Sequence, residues 1–192
     1  MGNYTDAIKE YIKLEKDTLD GLDVDAINAA MNLIMEAYEG EHTIYIFGNG
    51  GSSATASHYQ NDFNKGISEY VDVKFRFQCL NDNVSTIMAI ANDIGFEEVF
   101  RFQLMGRLEP GDIIIAISGS GNSSNVIHAV EYAKEQGNKV IGMTGFDGGR
   151  LHALADVALH VNAMSMQITE DVHMIYDHMI MAVLSQTLCS EK

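Results

Sequence analysis

Two glycine- and serine-rich segments of the sequence have the composition of loops that bind phosphate. Residues 48–53 read GNGGSS and residues 118–124 read SGSGNSS. Glycine lets the backbone turn sharply and approach a ligand closely, while serine hydroxyls and the free amides at a helix start donate hydrogen bonds to an anion. A turn that only caps a helix would have a similar composition, but two such segments in equivalent positions favour phosphate binding.

Neither segment is a nucleotide-binding fingerprint. The first contains G-x-G but carries Ser53 where G-x-G-x-x-G needs its last glycine, and the sequence contains no G-x-x-x-x-G-K-[ST] motif. The two segments therefore indicate a small phosphate ligand rather than a dinucleotide or a nucleoside triphosphate.

Ionisable side chains follow the first loop and recur near the end of the chain. His58 and Asp62 are four residues apart in a predicted helix, so they share one face. A mostly apolar helix predicted at residues 169–189 carries a second group, which comprises Glu170, Asp171, His173, Asp177 and His178. Buried carboxylates and imidazoles are costly unless they pair, bind a metal or face a polar cleft. A carboxylate and a histidine beside a phosphate anchor can move the proton of an aldose–ketose isomerisation, whereas the same residue types could instead hold a divalent metal.

The periodicity of the sequence places these residues in an alternating α/β pattern. Strands are predicted at residues 43–47, 73–80, 112–118, 139–144 and 157–161. Helices are predicted at residues 3–22, 25–38, 53–64, 84–91, 122–136 and 169–189. This order favours a mostly parallel five-stranded sheet flanked by helices and preceded by a helical pair. Both loops then follow strands, at the carboxyl edge of the sheet, where such folds bind ligands.

The composition argues against several classes of protein. The 192 residues suit one domain, and contents of 46% hydrophobic and 20% charged residues argue against disorder. A net charge of −15 argues against direct binding of nucleic acid, because a phosphate backbone is bound by Lys and Arg. No run approaches the roughly 20 apolar residues of a membrane span, and the N-terminus lacks the apolar core of a signal peptide. The expected location is therefore the cytoplasm.

Four segments together resemble the sugar isomerase (SIS) domain family. They are GNGGSSATASH at residues 48–58, ANDIGF at 91–96, ISGSGNSSNVI at 117–127 and TGFDGG at 144–149. The resemblance extends over nearly the whole chain, and within the family the segments are most similar to those of the phosphoheptose isomerases. It implies one SIS domain over residues 1–192, built as a three-layer α/β sandwich. It also implies a homotetramer with active sites between subunits, in which the helical extension at residues 1–40 is used for assembly.

The resemblance further implies roles for individual residues. Asp62 and His178 fall on the catalytic positions. The positions implied to contact the sugar phosphate are Asn49, Gly50, Gly51, Ser52, Asn92, Asp93, Ser118, Ser120, Ser123 and Gln167. The positions implied to hold a divalent metal, which is zinc in some members, are His58, Asp62, Glu170 and His178.

The spacing of Glu170 leaves a second set of metal ligands open. Glu170 and His178 are eight residues apart, about 12 Å along a regular helix, so they share an ion only by leaning towards each other or if the helix starts irregularly. In a regular helix Glu170, His173 and Asp177 share a face and form the alternative trio. The set of metal ligands implied by the family is preferred, because the same resemblance also covers the neighbouring glycine-serine loops.

Several positions depart from the usual residues of the family. Asp62 replaces a glutamate, Glu170 a glutamine, Gly119 a threonine, Asn83 and Gln167 aspartates, and Gly66 an arginine. The resemblance implies an aldose–ketose isomerase that converts sedoheptulose 7-phosphate into a heptose 7-phosphate. The alternatives are a sister isomerase for another phosphosugar and a non-catalytic module that binds a phosphosugar or a protein partner.

Overall fold

The computed structural model describes residues 2–189 and confirms the alternating pattern of strands and helices. Its strands are β1 (Ile44–Gly48), β2 (Phe77–Cys79), β3 (Ile113–Ile117), β4 (Lys139–Thr144) and β5 (Val157–His160). Its helices are α1 (Thr5–Asp20), α2 (Val24–Glu39), α3 (Gly51–Asn61), α4 (Val84–Asp93), α5 (Arg101–Leu104), α6 (Ser124–Glu135), α7 (Gly149–Leu154) and α8 (Met166–Cys189). Short helical turns follow α3 at Asp62–Gly66 and Ile67–Glu69 and precede α5 at Phe96–Glu98.

The five strands form one sheet in the order β2-β1-β3-β4-β5, and every neighbouring pair is parallel. This arrangement confirms the predicted fold class. All residues of β1 and β3 are buried, as expected for central strands that are covered by helices on both faces.

The side chains of β1 show how the two faces of the sheet build two cores. Ile44 and Ile46 point into a core shared with α2, α3 and α8. Tyr45 and Phe47 point to the opposite face, into a core shared with α4 and α6. The alternation follows from the two-residue period of a strand, and it fixes α3 and α8 on the same side of the sheet.

Two elements differ from their predicted extent. The second strand is limited to Phe77–Cys79, because the preceding residues form a loop that Lys74 ties to the carbonyl oxygens of Ser68 and Val71. The final helix is mostly apolar, but the part after His178 is not buried on all sides in the single chain. Leu184 is buried but the neighbouring Val183 is 42% exposed, since α8 lies in an outer layer.

None of the helices in residues 2–189 combines the length and apolar character needed to cross a membrane.

Candidate active site

The two glycine-serine loops lie side by side. Each follows the last residue of its strand, and β1 and β3 are neighbours whose ends pair at Gly48 and Ile117. The chain passes from β1 to β2 on one side and from β3 to β4 on the other, so the strand order reverses between these two strands. Crevices at such a reversal are the usual ligand sites of open α/β sheets.

A pair of asparagines holds the two loops together. The side-chain amides of Asn49 and Asn125 exchange two hydrogen bonds of 2.8 and 2.9 Å. Asn125 is almost fully buried in the first turn of α6, directly after the second loop. The sequence did not single out Asn125; its position just after GNSS is the signal that could have identified it.

Asn81 fixes the start of the first loop in a similar way. Its side chain accepts a hydrogen bond from the Gly48 amide at 3.2 Å and donates one to the Gly48 carbonyl at 2.9 Å. A Cβ atom on Gly48 would lie 2.6 Å from the Ser52 side chain and 2.9 Å from the Ile117 carbonyl oxygen. Glycine therefore lets the two strand ends approach closely at this point.

A third loop, which follows β4, supports the second from behind. Gly121 adopts a φ of +65°, and a Cβ atom there would lie 1.9 Å from the carbonyl oxygen of Gly148. The backbone amide of Gly145 donates to the Gly119 carbonyl, and that of Leu151 donates to the Gly121 carbonyl, each at 2.9 Å. The segment TGFDGG and the start of α7 thus position the serine loop through backbone contacts, and the Asn122 side chain adds a bond from the Arg150 amide.

The residues that precede the helices after the two loops do not cap those helices with their side chains. Neither Gly50 before α3 nor Ser123 before α6 makes a side-chain capping hydrogen bond. In contrast, Asp23 caps α2 and Asn83 caps α4. Uncapped amides at a helix N-terminus attract anions, because the donors and the helix dipole both point outward. Both starts are therefore suited to a phosphate.

A cleft with a volume of about 170 Å³ opens between the loops. Most of the loop residues implied to contact the sugar phosphate line it: Asn49, Ser52, Ser118, Ser120 and Ser123. Ser118 and Ser123 are joined through their hydroxyl groups at 3.2 Å. A larger cavity of about 380 Å³ lies at the opposite edge of the sheet near Glu36 and His42, but it contains none of the predicted site residues.

Other predicted contacts lie away from this cleft. Asn92 and Asp93 are exposed at the end of α4 and hydrogen bond to each other at 2.7 Å. Gln167 is exposed, and its side-chain oxygen accepts a hydrogen bond from the Ser165 hydroxyl at 3.4 Å. None of the three lines the cleft of a single chain.

A cluster of two histidines and two aspartates lies between α3 and α8. Its members are His58, Asp62, Asp177 and His178, and one ligand atom from each lies within 4.8 Å of the others. The Nε2 atoms of the two histidines are 3.1 Å apart, and Asp62 Oδ2 is 3.5 Å from His58 Nε2. The structure therefore brings together three of the four residues that were implied to hold a metal.

Glu170 is the implied metal ligand that lies outside this cluster. It lines the cleft instead, and its carboxylate is within 2.5–2.7 Å of the position of a Cβ atom on Gly51. The reason is that α8 is regular, so a residue eight positions before His178 lies about 12 Å further along the axis. The carboxylate lies instead at the positive N-terminal end of α3.

The alternative trio of Glu170, His173 and Asp177 is not assembled either. His173 is buried, and its Nε2 lies 3.3 Å from the Thr144 carbonyl oxygen, to which it can donate. Burial lowers the pKa of His173 to about 4, which the bond to Thr144 only partly offsets. This histidine is a neutral core residue that joins α8 to the end of β4.

Asp177 is the member of the cluster that the sequence named only in the alternative trio, with other partners than the structure gives it. It is completely buried, and neither carboxylate oxygen has a hydrogen-bond partner. Burial, with a further contribution from the charge of Asp62, raises the pKa of Asp177 to about 8. Burial and then the charge of Asp177 also raise the pKa of Tyr59 well above its ordinary value. The adjacent Asp-His pair at 177–178 was the signal available in the sequence. Only the rotation of α8 about its own axis, as the structure has it, shows that both side chains reach α3.

This arrangement permits two kinds of chemistry. A carboxylate and an imidazole next to each other can exchange protons with a substrate. Two imidazoles and two carboxylates are also a donor set that suits zinc and similar divalent ions. The two carboxylate oxygens of Asp177 have no hydrogen-bond partner. They fit a metal site better than a site without an ion, since a buried carboxylate needs a cationic partner or hydrogen-bond donors.

Known proteins resemble this chain over most of its length. A family model described as SIS domain matches residues 3–145. A phosphoheptose isomerase from Helicobacter pylori is 36% identical over 174 residues, which cover 87% of this chain and 85% of that protein. A phosphoheptose isomerase from Rhodospirillum rubrum is 32% identical over 165 residues, or 86% of this chain and 87% of that protein.

Solved structures of similar proteins have the same architecture. The phosphoheptose isomerase GmhA from Neisseria gonorrhoeae superposes with a TM-score of 0.85 at 30% identity and covers 95% of this chain and 96% of its own. A phosphoheptose isomerase from Francisella tularensis gives a TM-score of 0.88 at 26% identity, with 96% and 100% covered.

Proposed function

Since this chain belongs to the SIS domain family, we propose that it is an isomerase that interconverts the ketose and aldose forms of a phosphorylated sugar. The proposed substrate is sedoheptulose 7-phosphate, in agreement with the names of the similar phosphoheptose isomerases. One observation carries the proposal: the same two helices, α3 and α8, connect the serine-lined cleft to the cluster of histidines and carboxylates.

The cleft would hold the phosphate group. Ser118, Ser120 and Ser123 would donate hydrogen bonds through their hydroxyls, and the uncapped amides of α6 would add further donors. This mode of binding needs no lysine or arginine, which accounts for phosphate binding by a chain with a net charge of −15.

The cluster between α3 and α8 would transfer the protons of the isomerisation. Asp62 would take a proton from carbon 1 of the open-chain ketose and return it to carbon 2, and His178 would transfer a proton between the oxygens on these two carbons. Asp62 lies half-buried, and its Oδ1 accepts a hydrogen bond from Asn61 at 3.1 Å. Its Oδ2 faces the histidines. A carboxylate held in this way is oriented for proton transfer before substrate binds.

A divalent metal, zinc by the resemblance, would be held by His58, His178 and the neighbouring carboxylates. When bound, such an ion polarises the substrate oxygens and so favours loss of the proton from the adjacent carbon. His58 fits a role as ligand because its Nε2 points at the other members of the cluster. Glu170, in the position shown by the structure, would reach the ion only after its side chain turned away from Gly51.

The functional unit would be a homotetramer built from one SIS domain per chain, with residues 1–40 contributing to assembly. Helix α1 buries only Thr18 and exposes Ile8 and Ile12 on one side, with exposed fractions of 56% and 47%. Exposed apolar faces of this kind are typical of protein interfaces. Asn92 and Asp93 lie outside the cleft of their own chain. In the tetramer they would contact the substrate bound by a neighbouring subunit.

The test is an assay of purified protein with sedoheptulose 7-phosphate, with formation of the aldose followed after treatment with EDTA and after addition of Zn²⁺. We expect turnover, and a panel of shorter ketose phosphates would establish the preference for chain length. If folded protein turned over none of these sugars, the proposal would be rejected. Stabilisation by the sugar phosphate without turnover would then identify the chain as a non-catalytic binding module.

A further inference from the structure

We propose that Asp177 is a ligand of the divalent metal and that it completes a site of two histidines and two aspartates with His58, Asp62 and His178. This inference rests on the metal site of the proposed function and assigns its fourth position. It assigns this position to Asp177, which the structure places in the cluster, and not to Glu170, which the resemblance implied.

The burial of Asp177 is the first argument. Its side chain is 0% exposed, and both of its oxygens lack a hydrogen-bond partner. Among the described residues its salt-bridge partner is His58, whose Nε2 lies 3.9 Å from Asp177 Oδ2. A buried carboxylate without donors is strongly unfavourable unless a cation lies beside it. A metal ion between Asp177 and His58 would supply that cation.

The spacing of the donor atoms is the second argument. Zinc–nitrogen and zinc–oxygen bonds of about 2.0–2.2 Å in a tetrahedron place neighbouring donor atoms roughly 3.3–3.6 Å apart. The three measured separations from His58 Nε2 are 3.1 Å to His178, 3.5 Å to Asp62 and 3.9 Å to Asp177. All four donor atoms lie within 4.8 Å of one another, so side-chain adjustments of about 1 Å would bring them to the separations of a zinc site.

The balance of charge is the third argument. Two carboxylates offset the charge of a divalent ion, and the two imidazoles bind it in their neutral form. Removal of Asp177 from the set would leave one carboxylate and an excess positive charge at a partly buried site.

The position of Glu170 does not favour it as the alternative. Its carboxylate lies against Gly51, at the other end of α3 from Asp62, and lines the phosphate cleft. As a ligand it would have to leave this position. Asp177, by contrast, is adjacent to His178 in the chain and already points into the cluster.

The experiment measures zinc affinity without substrate. Protein stripped with EDTA is titrated with Zn²⁺ in competition with a chromophoric chelator, and the same titration is carried out on Asp177→Asn, Glu170→Gln and Asp171→Asn. The last is a matched control, because Asp171 lies on the same helix but bonds to Tyr11 on α1. We expect Asp177→Asn to weaken zinc binding by at least about 100-fold, since loss of a direct ligand should exceed the effect of outer-shell changes. The two other variants should keep the affinity of the parent protein.

Two results would overturn the inference: absence of zinc binding by the parent protein, and unchanged affinity in Asp177→Asn. Crystals soaked in zinc give a readout that does not depend on the folding of any variant, because anomalous scattering locates the ion. An ion bonded to an Asp177 oxygen supports the inference, and an ion held by Glu170 in its place contradicts it. Sugar turnover is measured separately, so turnover by EDTA-treated protein that binds no zinc would reject this inference and leave the proposed isomerase intact.

Discussion

The Nε2 atoms of His58 and His178 lie 3.1 Å apart, although 120 positions separate the two residues in the chain. Helices α3 and α8 bring them together from the same face of the sheet, and Asp62 and Asp177 complete the group. The cluster proposed to transfer protons and to bind a metal therefore lies near a cleft that is lined by serines. Five predictions test the proposed site, the structure that supports it and the assembly of the chain.

The first prediction concerns the proton-transfer pair. Asp62→Asn and His178→Ala should each lower kcat by about 10²- to 10⁴-fold, because each removes a group proposed to move a proton in the reaction. Steady-state kinetics with sedoheptulose 7-phosphate measures the effect, and Asp25→Asn, an exposed change in the first turn of α2, serves as the control. Retention of parental kcat by either variant would exclude that residue from proton transfer.

The second prediction concerns the phosphate cleft. Ser120→Ala should raise KM about 10- to 100-fold with little change in kcat, because a hydrogen bond to a charged group contributes about 1.5–3 kcal/mol and is made throughout the reaction. The control is Ser124→Ala, which alters an exposed serine of the same loop that does not line the cleft. Equal KM values for the two variants would place the phosphate elsewhere.

The third prediction concerns the support of the serine loop by the loop after β4. Gly121→Ala should lower the free energy of unfolding by at least about 3 kcal/mol, because it combines left-handed backbone strain with a backbone clash. Gly137→Ala is the matched control: its φ is +85°, but a Cβ atom there meets nothing within 4 Å. It should cost only about 1 kcal/mol from strain. Urea denaturation measures the free energy of unfolding of both variants. Similar decreases in the two would mean that the backbone at Gly148 moves aside at little cost to accommodate the new Cβ atom.

The fourth prediction concerns the acid stability of the protein. The pKa of buried His173 is about 4, below its ordinary value of 6.5. Between these two pH values the unfolded chain therefore binds a proton at this histidine and the folded chain does not. The stability contributed by this neutral histidine is complete above pH 6.5 and is lost as the pH falls towards 4, by about 3 kcal/mol in all. Urea denaturation with EDTA present at several pH values should show this loss.

His173→Gln provides the comparison for the acid-stability prediction, since glutamine cannot titrate in this range. The gap in stability between the parent protein and the variant should narrow as the solution is acidified. A gap that stays constant from pH 7 to pH 4 would show that the histidine does not resist protonation in the folded state.

The fifth prediction concerns assembly. The parent protein should have four times the 21.1 kDa mass of one chain in light-scattering measurements, and the double variant Ile8→Glu, Ile12→Glu should dissociate. The variant should stay folded, because α1 buries only Thr18 within its own chain. Lys9→Glu introduces a negative charge beside these positions and should leave the assembly intact. A monomeric parent protein would contradict the prediction.

Much of the fold could be predicted because its signals are local. Each central strand is a short apolar run followed by glycine and serine, so its type, its end and the position of its loop are all visible in the sequence. Residues 113–117 and 44–48 match the predicted strands to within one residue for this reason. The short helices Arg101–Leu104 and Gly149–Leu154 were missed, because four to six residues carry too little periodicity to identify a helix.

The site was less predictable, because it depends on how one helix is positioned against another. His58, Asp62 and His178 could be named from the resemblance, yet the choice between Glu170 and Asp177 depends on which turn of α8 packs beside His58 and Asp62. Helical spacing groups Glu170 with Asp177 on one face, but it does not show that His173 turns to Thr144 or that Glu170 stays near Gly51. Asn81 and Asn125 were missed because their partners are backbone groups and side chains distant in the chain.

Helix α3 has Ser52 of the cleft near one end and His58 towards the other, and Asp62 follows directly after its last residue. Six residues of helix span about 9 Å, and with C–C bonds of about 1.5 Å an extended seven-carbon chain spans roughly 8 Å. In the proposed function, the helix would therefore act as a spacer between the phosphate and the reacting carbons. Selection among sugar phosphates would then depend on the length of a helix that need not touch the carbon chain, and insertion of one helical turn into α3 would change the preferred substrate.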